Sequence, residues 1–193
     1  MAEYFKIAIK CIIIDLIYCS PGGFALDTVT IGVVSDTHIP SRGKVIPDIV
    51  LHGFKGVDMI IHAGDLLKDY VIYELEEIAP VHAVAGNNDD FFIQDRLGKK
   101  RIVEVGAVRI GITHGDLGHG GNALKNAINV FKNDVVNCVV FGHSHTPFNE
   151  KIDGVLFFNP GSPTDKRWQE YYSYGILKIQ GDKVTGEIEY FGR

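Results

Sequence analysis

Five apolar runs of this chain each stop at a small or acidic residue and then offer a side chain able to bind a cation. Thr28 to Val34 closes on Ser35-Asp36-Thr37-His38, Val57 to His62 on Ala63-Gly64-Asp65, and Val81 to Ala85 on Gly86-Asn87-Asn88-Asp89. Val108 to Ile112 closes on Thr113-His114-Gly115-Asp116, and Val135 to Phe141 on Gly142-His143-Ser144-His145. Short runs of this kind, rich in β-branched residues and bounded by turn formers, read as buried strands. In α/β sheets the crevice beyond the carboxyl ends of the strands is where sites assemble. An extended segment sends alternate side chains to one side, so His143 and His145 are expected to point at one place.

Between these runs the periodicity changes. Val45 to Phe54 reads as a short helix with Pro47 in its first turn. Lys68 to Ile78 has apolar residues at helical spacing (Val71, Leu75, Ile78), and Asn122 to Phe131 offers Ala123, Ala127, Val130 and Phe131 as an apolar side. Arg101 to Val105 and Val108 to Ile112 flank Gly106-Ala107 as a hairpin. Phe148 to Ile152, Val155 to Phe158, Tyr171 to Ile179 and Val184 to Tyr190 are further β runs. Strand and helix alternate in the first half and hairpins dominate the second. The expected architecture is two sheets packed face to face with helices outside, an α/β sandwich.

A length of 193 residues bounds this to one domain with room for a substantial core. The net charge of -5 argues against nonspecific binding along nucleic acid, so no extended nucleic acid is an expected partner. Cys11, Cys19 and Cys138 are too few and too irregularly spaced for a disulfide framework, which points to a reducing, cytoplasmic setting. Lys6 to Cys19 holds an apolar stretch interrupted by Asp15, too short and too charged to span a membrane, and no clean signal cleavage site follows. Residues 1–28 read as a noncatalytic N-terminal extension of open structure, an extra strand or a start placed too far upstream, with a signal peptide as the lesser alternative, and residues 29–193 as the functional domain.

The cation-binding candidates are Asp36, His38, Asp65, Asn87, His114, His143 and His145. Each alone has a bland reading: Asp36 could cap a turn, Asn87 could adopt a left-handed turn, and a single His beyond a strand is more often hydrogen-bonded structure. Together, at five successive strand ends, they point to a metal centre. Imidazole, carboxylate and amide oxygen without thiolate suit Mn, Fe, Ni, Co or Zn better than an ion bound only through oxygen. Two ions about 3.5–4 Å apart make the phosphatase and nuclease type of site, which needs a bridging carboxylate, here Asp65. Two divalent ions carry four positive charges, and Asp36, Asp65 and a bridging hydroxide remove three. The net positive charge left over attracts an anion and stabilises charge building on phosphoryl oxygens, so hydrolysis of a phosphate ester follows.

Asp36-Thr37-His38, Gly64-Asp65, Gly86-Asn87-Asn88-Asp89, His114-Gly115-Asp116 and Gly142-His143-Ser144-His145 resemble the five motifs of the calcineurin-like metallophosphoesterases. Their order and spacing, over Val29 to Arg193, resemble the small prokaryotic YfcE-like phosphodiesterases. The resemblance implies a four-layer αββα sandwich and a dinuclear site. By position, Asp36, His38, Asp65 and His145 would hold one ion, and Asp65, Asn87, His114 and His143 the other, with Mn²⁺ first among the metals. Many relatives carry His after the motif Asn, where it can protonate the leaving group. Here that position is Asn88, an amide that can hydrogen-bond a phosphate but cannot act as a general acid near pH 7. The expected substrates are thus small phosphodiesters with good leaving groups, nucleotide-derived ones among them. Asp89 is expected to orient a ligand such as His38, with plain turn capping as the alternative.

Other residues carry less. His62 and His82 lie within strand runs and read as structural, and His52 as surface. His119, in the Gly-rich stretch Gly115 to Gly121, is a candidate for the substrate mouth, and Lys166 and Arg167 for phosphate contact or a solvated surface. Phe91, Phe92, Trp168, Tyr171 and Tyr172 could stack on a nucleobase, although core and dimer contacts are commoner fates for aromatics. Alternative activities are phosphomonoester or phosphoprotein hydrolysis. A different class is the noncatalytic scaffold: relatives of this fold serve in vesicle-coat assemblies, with eroded metal motifs. Homo-oligomerisation stays open on these grounds.

Overall fold

The computed structural model describes residues 28–118 and 121–192. The expected N-terminal extension, apart from Thr28, and His119 lie outside the described residues. Burial along the first strand, β1 (Val29–Val34), sets out the layering. Ile31 and Val33 enter one apolar cluster and Val34 enters another, as the two-residue repeat of a pleated strand requires. The first cluster is the seam between two sheets. Ile31, Val33, Ile61, Leu177 and Ile179 from one meet Val103, Ile110, Ile112, Cys138, Val140 and Phe158 from the other.

The first sheet has strand order β10-β9-β1-β2-β3, where β2 is Met59–His62, β3 Val81–Ala83, β9 Tyr172–Gln180 and β10 Lys183–Phe191. Here β1, β2 and β3 run parallel and β9 returns antiparallel. Its outer face is covered by three helices, α1 (Asp48–Gly53), α2 (Tyr70–Glu76) and α3 (Phe91–Leu97). They supply Val50, Val71, Leu75 and Ile93 to the second cluster. The second sheet has order β4-β5-β6-β8-β7, with β4 Lys100–Val105, β5 Val108–Thr113, β6 Cys138–Val140, β7 Phe148–Ile152 and β8 Val155–Asn159. There β5, β6 and β8 are parallel, while β4 and β7 pair antiparallel at the edges. Helix α4 (Ala123–Phe131) lays Ala123, Ala127 and Phe131 on Val139, Phe141 and Phe157 of its outer face. Two mixed five-stranded sheets flanked by helices are the expected α/β sandwich. Phe54, Phe141 and Phe158 are fully buried, and truncating any of them to Ala would cost about 3–5 kcal/mol.

Two local expectations are corrected. Helix α1 begins at Asp48 rather than Val45, with Pro47 as its N-cap, because the residue before a proline is disfavoured in the helical region. Helix α3 is absent from the periodic reading, since Phe91 and Phe92 are exposed and only Ile93 and the half-buried Leu97 pack inward, a single i, i+4 pair. Its start is fixed instead by the Asp90 side chain, which accepts a hydrogen bond from the Ile93 amide.

Candidate metal centre

The loops after β1, β2, β3, β5, β6 and β8 meet on one side of the sandwich. Asp36, His38, Asp65, His143 and His145 all have left-handed backbones, with φ between 45° and 68°. Such conformations in non-glycine residues cost on the order of 1–3 kcal/mol each and persist only where the surroundings impose them. Here the loops hydrogen-bond one another: the Asp36 amide donates to the Gly64 carbonyl, His38 to Asp65, and Gly142 to His114. His143 and His145 therefore do not converge through strand alternation. His145 turns to His38, their Nε2 atoms 3.3 Å apart, while the His143 ring meets the His114 ring edge-on at 5.2 Å.

Asp36 stands between these imidazoles. Its Oδ2 accepts from the Ser35 hydroxyl at 2.7 Å and the His143 amide at 2.9 Å. Its Oδ1 is buried, has no hydrogen-bond partner among the described residues, and faces His145 Nε2 at 3.2 Å, with His38 and His114 Nε2 each at 3.8 Å. His114 Nδ1 meets the Ala63 carbonyl at 2.7 Å, so Nδ1 carries the proton and a bare Nε2 faces inward, also buried without a partner. His145 Nδ1 likewise donates to the Asp165 carbonyl and frees Nε2. Asp65 Oδ2 lies 3.2 Å from His114 Nε2 and 3.6 Å from His38 Nε2. Two groups, Asp36 with His38 and His145, and Asp36 with Asp65 and His114, each gather donor atoms within 4.8 Å. Asp36 is common to both, and Asp65 faces imidazoles of both.

The electrostatics agree with a cation-binding role for these groups. Burial pushes the Asp36 carboxyl up, but the facing His114 and His145 outweigh it and hold the group below the usual carboxylate range. Burial acts on Asp65 in the same sense and is overcome by His114 and Asn88. His114 is disfavoured as a cation by burial, yet Asp36 and Asp65 push it up to about 9. Unpartnered carboxylate and imidazole atoms aimed at one another are the arrangement that a divalent cation satisfies, so these residues fit the metals the sequence implies.

The turn after β3 serves Asp65. The Asn88 amide donates to Asp65 Oδ2 at 2.6 Å and its backbone N–H to Oδ1 at 2.8 Å, while Asn87 is exposed on the same turn. Asp89 accepts from the amides of Gly86 and Leu67 at 2.7 Å and Asp65 at 3.0 Å. It ties two loops together through their backbones, capping its own turn at Gly86 and holding the candidate ligand Asp65 rather than His38. Gly86 and Gly142 are required by close approach: a Cβ on Gly86 would collide with Asp65, and one on Gly142 with Ser35 and Asp36. His62 is buried. It accepts from the Gly64 amide on Nδ1, so its Nε2–H points to Thr37 Oγ1 at 3.1 Å, and burial lowers its pKa to about 3.

A sixth loop, Asn159-Pro160-Gly161-Ser162 and the residues after it, supports the site through side chains to which the sequence assigned no role. Asn159, at the end of β8, donates to the Gly142 carbonyl and the Ser144 hydroxyl. Ser162 donates to the Asp36 carbonyl at 2.8 Å, Thr164 to the Thr37 carbonyl, and Asp165 receives the His145 proton. The signal was present: Asn159-Pro160-Gly161-Ser162 follows an apolar strand as the other five motifs do, but it offers hydroxyls instead of metal-type donors.

A cleft of about 390 Å³ opens beside His38, with Arg42, Leu67, Asn88, Asp165 and Arg167 among its walls. Arg42 pairs with Asp165 at 3.4 Å. Lys166 turns away, donating to the Gln169 carbonyl. Among the aromatics, Phe91, Phe92 and Trp168 (97% exposed) stand in solvent rather than in the core, Tyr171 is exposed, and Tyr172 stacks on Phe191. His52 is exposed and His82 half-buried in β3. Among the described residues no helix is long and apolar enough to cross a membrane.

The calcineurin-like phosphoesterase superfamily domain matches residues 29–182. A probable metallophosphoesterase of Methanothermobacter thermautotrophicus is 38% identical over 160 residues, covering 82% of this chain and 90% of the relative. A phosphodiesterase of Methanocaldococcus jannaschii is 32% identical over 145 residues, covering 68% and 82%. In three dimensions, Vps29 of Entamoeba histolytica superposes with a TM-score of 0.69 at 22% identity, covering 85% of this chain and 100% of the other, a likeness of fold.

Proposed function

This chain belongs to the calcineurin-like phosphoesterase superfamily, and on that footing we propose that it hydrolyses small phosphodiesters at a centre of two divalent cations. The observation that carries the reading is Asp36 Oδ1, a buried carboxylate oxygen without a hydrogen-bond partner among the described residues, faced by three imidazole nitrogens. Asp36, His38, Asp65 and His145 would hold one cation and Asp65, Asn87, His114 and His143 the other. Imidazole with carboxylate and amide oxygen favours Mn²⁺, with Ni²⁺, Fe²⁺, Co²⁺ or Zn²⁺ as substitutes. Cations there would polarise phosphoryl oxygens and supply a nucleophile from water near neutral pH.

The chain's own residues set the rest. Ser35 and the His143 amide fix the Asp36 carboxylate by its other oxygen, and Ala63 and Asp165 fix the tautomers of His114 and His145. Asn88 holds Asp65 by both oxygens and has no proton to give a departing alkoxide. An ester whose leaving group departs without protonation suits this site, which favours activated diesters over alkyl monoesters. The relative from Methanocaldococcus jannaschii named a phosphodiesterase supports the same choice.

A second reading, a protein-interaction scaffold, draws on the exposed Phe91, Phe92 and Trp168. The test is hydrolysis of bis-p-nitrophenyl phosphate against p-nitrophenyl phosphate. The protein is stripped with chelator and reloaded with Mn²⁺, Ni²⁺ or Mg²⁺, with Asp65→Asn as control. Metal-restored cleavage favouring the diester, abolished in the variant, supports the proposal. Preference for the monoester overturns the diesterase reading, and bound metal without hydrolysis of either ester transfers support to the scaffold.

A further inference from the structure

The cleft beside His38 is larger than one phosphate requires. Its volume of about 390 Å³ would hold a dozen or so waters at ~30 Å³ each, the lower range of small-molecule sites. Its charge is unevenly matched. Arg42 faces Asp165, whereas Arg167 forms none of the ion pairs found among the described residues. Arg167 also has a left-handed backbone, φ 47°, as the metal-facing residues do, and so does Leu67 on the same cleft, φ 74°. Backbone outliers of this kind collect at ligand sites, where the fold imposes a direction on a side chain. Among the described residues no Phe, Tyr or Trp lines the cleft, so these walls do not offer a nucleobase a stacking partner.

We infer that this cleft recognises a second anionic group of the substrate, with Arg167 as its specificity-determining residue. The proposal rests on the diesterase reading for the scissile group and adds the substrate class, a phosphodiester that carries a further phosphate or carboxylate. The scissile phosphate sits at the metal centre by His38 and Asn88. The intervening carbon skeleton lies along Leu67, and the Arg167 guanidinium takes the distal anion with its planar fork of donors.

The test compares thymidine 5′-(p-nitrophenyl phosphate) with the same ester bearing a 3′-phosphate. The full chain is loaded with Mn²⁺, and kcat/KM is read for each. The expected preference for the doubly anionic ester is roughly tenfold, the size of one charge-assisted hydrogen bond. Arg167→Ala abolishes that preference, Arg167→Lys keeps part of it, and Lys166→Ala retains it. No preference in the parent protein, or a preference surviving in Arg167→Ala, overturns the inference. Calorimetric binding of thymidine 3′,5′-bisphosphate against thymidine 5′-monophosphate gives a readout without turnover. If neither ester is cleaved the diesterase reading falls, while the affinity gap and its loss in Arg167→Ala still decide the role of Arg167.

Discussion

Asp89→Asn removes no metal-facing group, yet it is expected to weaken both the fold and the metal centre. The Asp89 carboxylate is 4% exposed and accepts three backbone amides, Gly86 and Asp65 on Oδ2 and Leu67 on Oδ1. Leu67 and Asp65 belong to the loop after β2, and Gly86 to the loop after β3, so this one side chain couples them. An Asn has a single carbonyl oxygen. Whichever way the amide turns, at least one backbone N–H then faces an NH₂ donor, and the other bonds lose their charge. Hydrogen bonds to charged groups contribute about 1.5–3 kcal/mol each, so the loss is expected to be about 2–4 kcal/mol. With m near 1–3 kcal/mol/M in urea, the unfolding midpoint of the metal-free protein should fall by roughly 1 M or more. Because Asp65 is the residue displaced, Mn²⁺ affinity by calorimetry should fall about 10–100-fold, the usual consequence of removing a group that orients a ligand. A lowered midpoint with undiminished Mn²⁺ affinity would refute the coupling, and an unchanged midpoint would refute the hydrogen-bond reasoning itself.

His62 makes an acid-sensitivity prediction. Its folded pKa of about 3 lies below its ordinary 6.5, so stability is intact above pH 6.5 and lost as pH falls through that interval. By pH 5 the loss is about 2 kcal/mol, at 1.36 kcal/mol per unit. His62→Asn should flatten urea midpoints measured between pH 7 and 5 relative to the parent, and parallel profiles would count against this. Gly142→Ala places a methyl on Ser35 Oγ and Asp36 Oδ2, which should cost about 1–3 kcal/mol in thermal or urea unfolding and displace the central carboxylate. Its Mn²⁺ affinity should drop at least tenfold, on the scale of about 10–100-fold for a lost orienting contact, and parental affinity would sink the prediction. Asn88→His supplies a general acid where the chain has none and should raise cleavage of poor leaving groups up to roughly 10²-fold, seen as a shallower dependence of kcat/KM on leaving-group pKa. An unaltered slope would remove the reason given for the diester preference.

The amino-acid sequence by itself determined the local alphabet of this protein. Short β-branched runs, helical spacing at Val71, Leu75 and Ile78, and Gly and Asp at the run ends are local signals, because pleat, helical repeat and turn geometry are set by a few neighbouring residues. The same signals marked the seven metal-type side chains at five strand ends. Helix α3 escaped because Phe91 and Phe92 face solvent and only the pair Ile93 and Leu97 packs inward, so the Asp90 cap marks it more clearly than its apolar spacing does. Tertiary structure alone decided how the strands sort into two sheets, with β9 returning more than a hundred residues later to lie beside β1. That pairing depends on burial and register between distant segments, which no local window contains. It also decided that β8 contributes a sixth loop, that Asp89 binds backbone instead of His38, and that His143 and His145 part company through left-handed backbones. The unpartnered Asp36 oxygen is the sharpest case. Its carboxylate is legible at position 36, but what surrounds it comes from residues 38, 114 and 145, brought together only when both sheets close over their shared core.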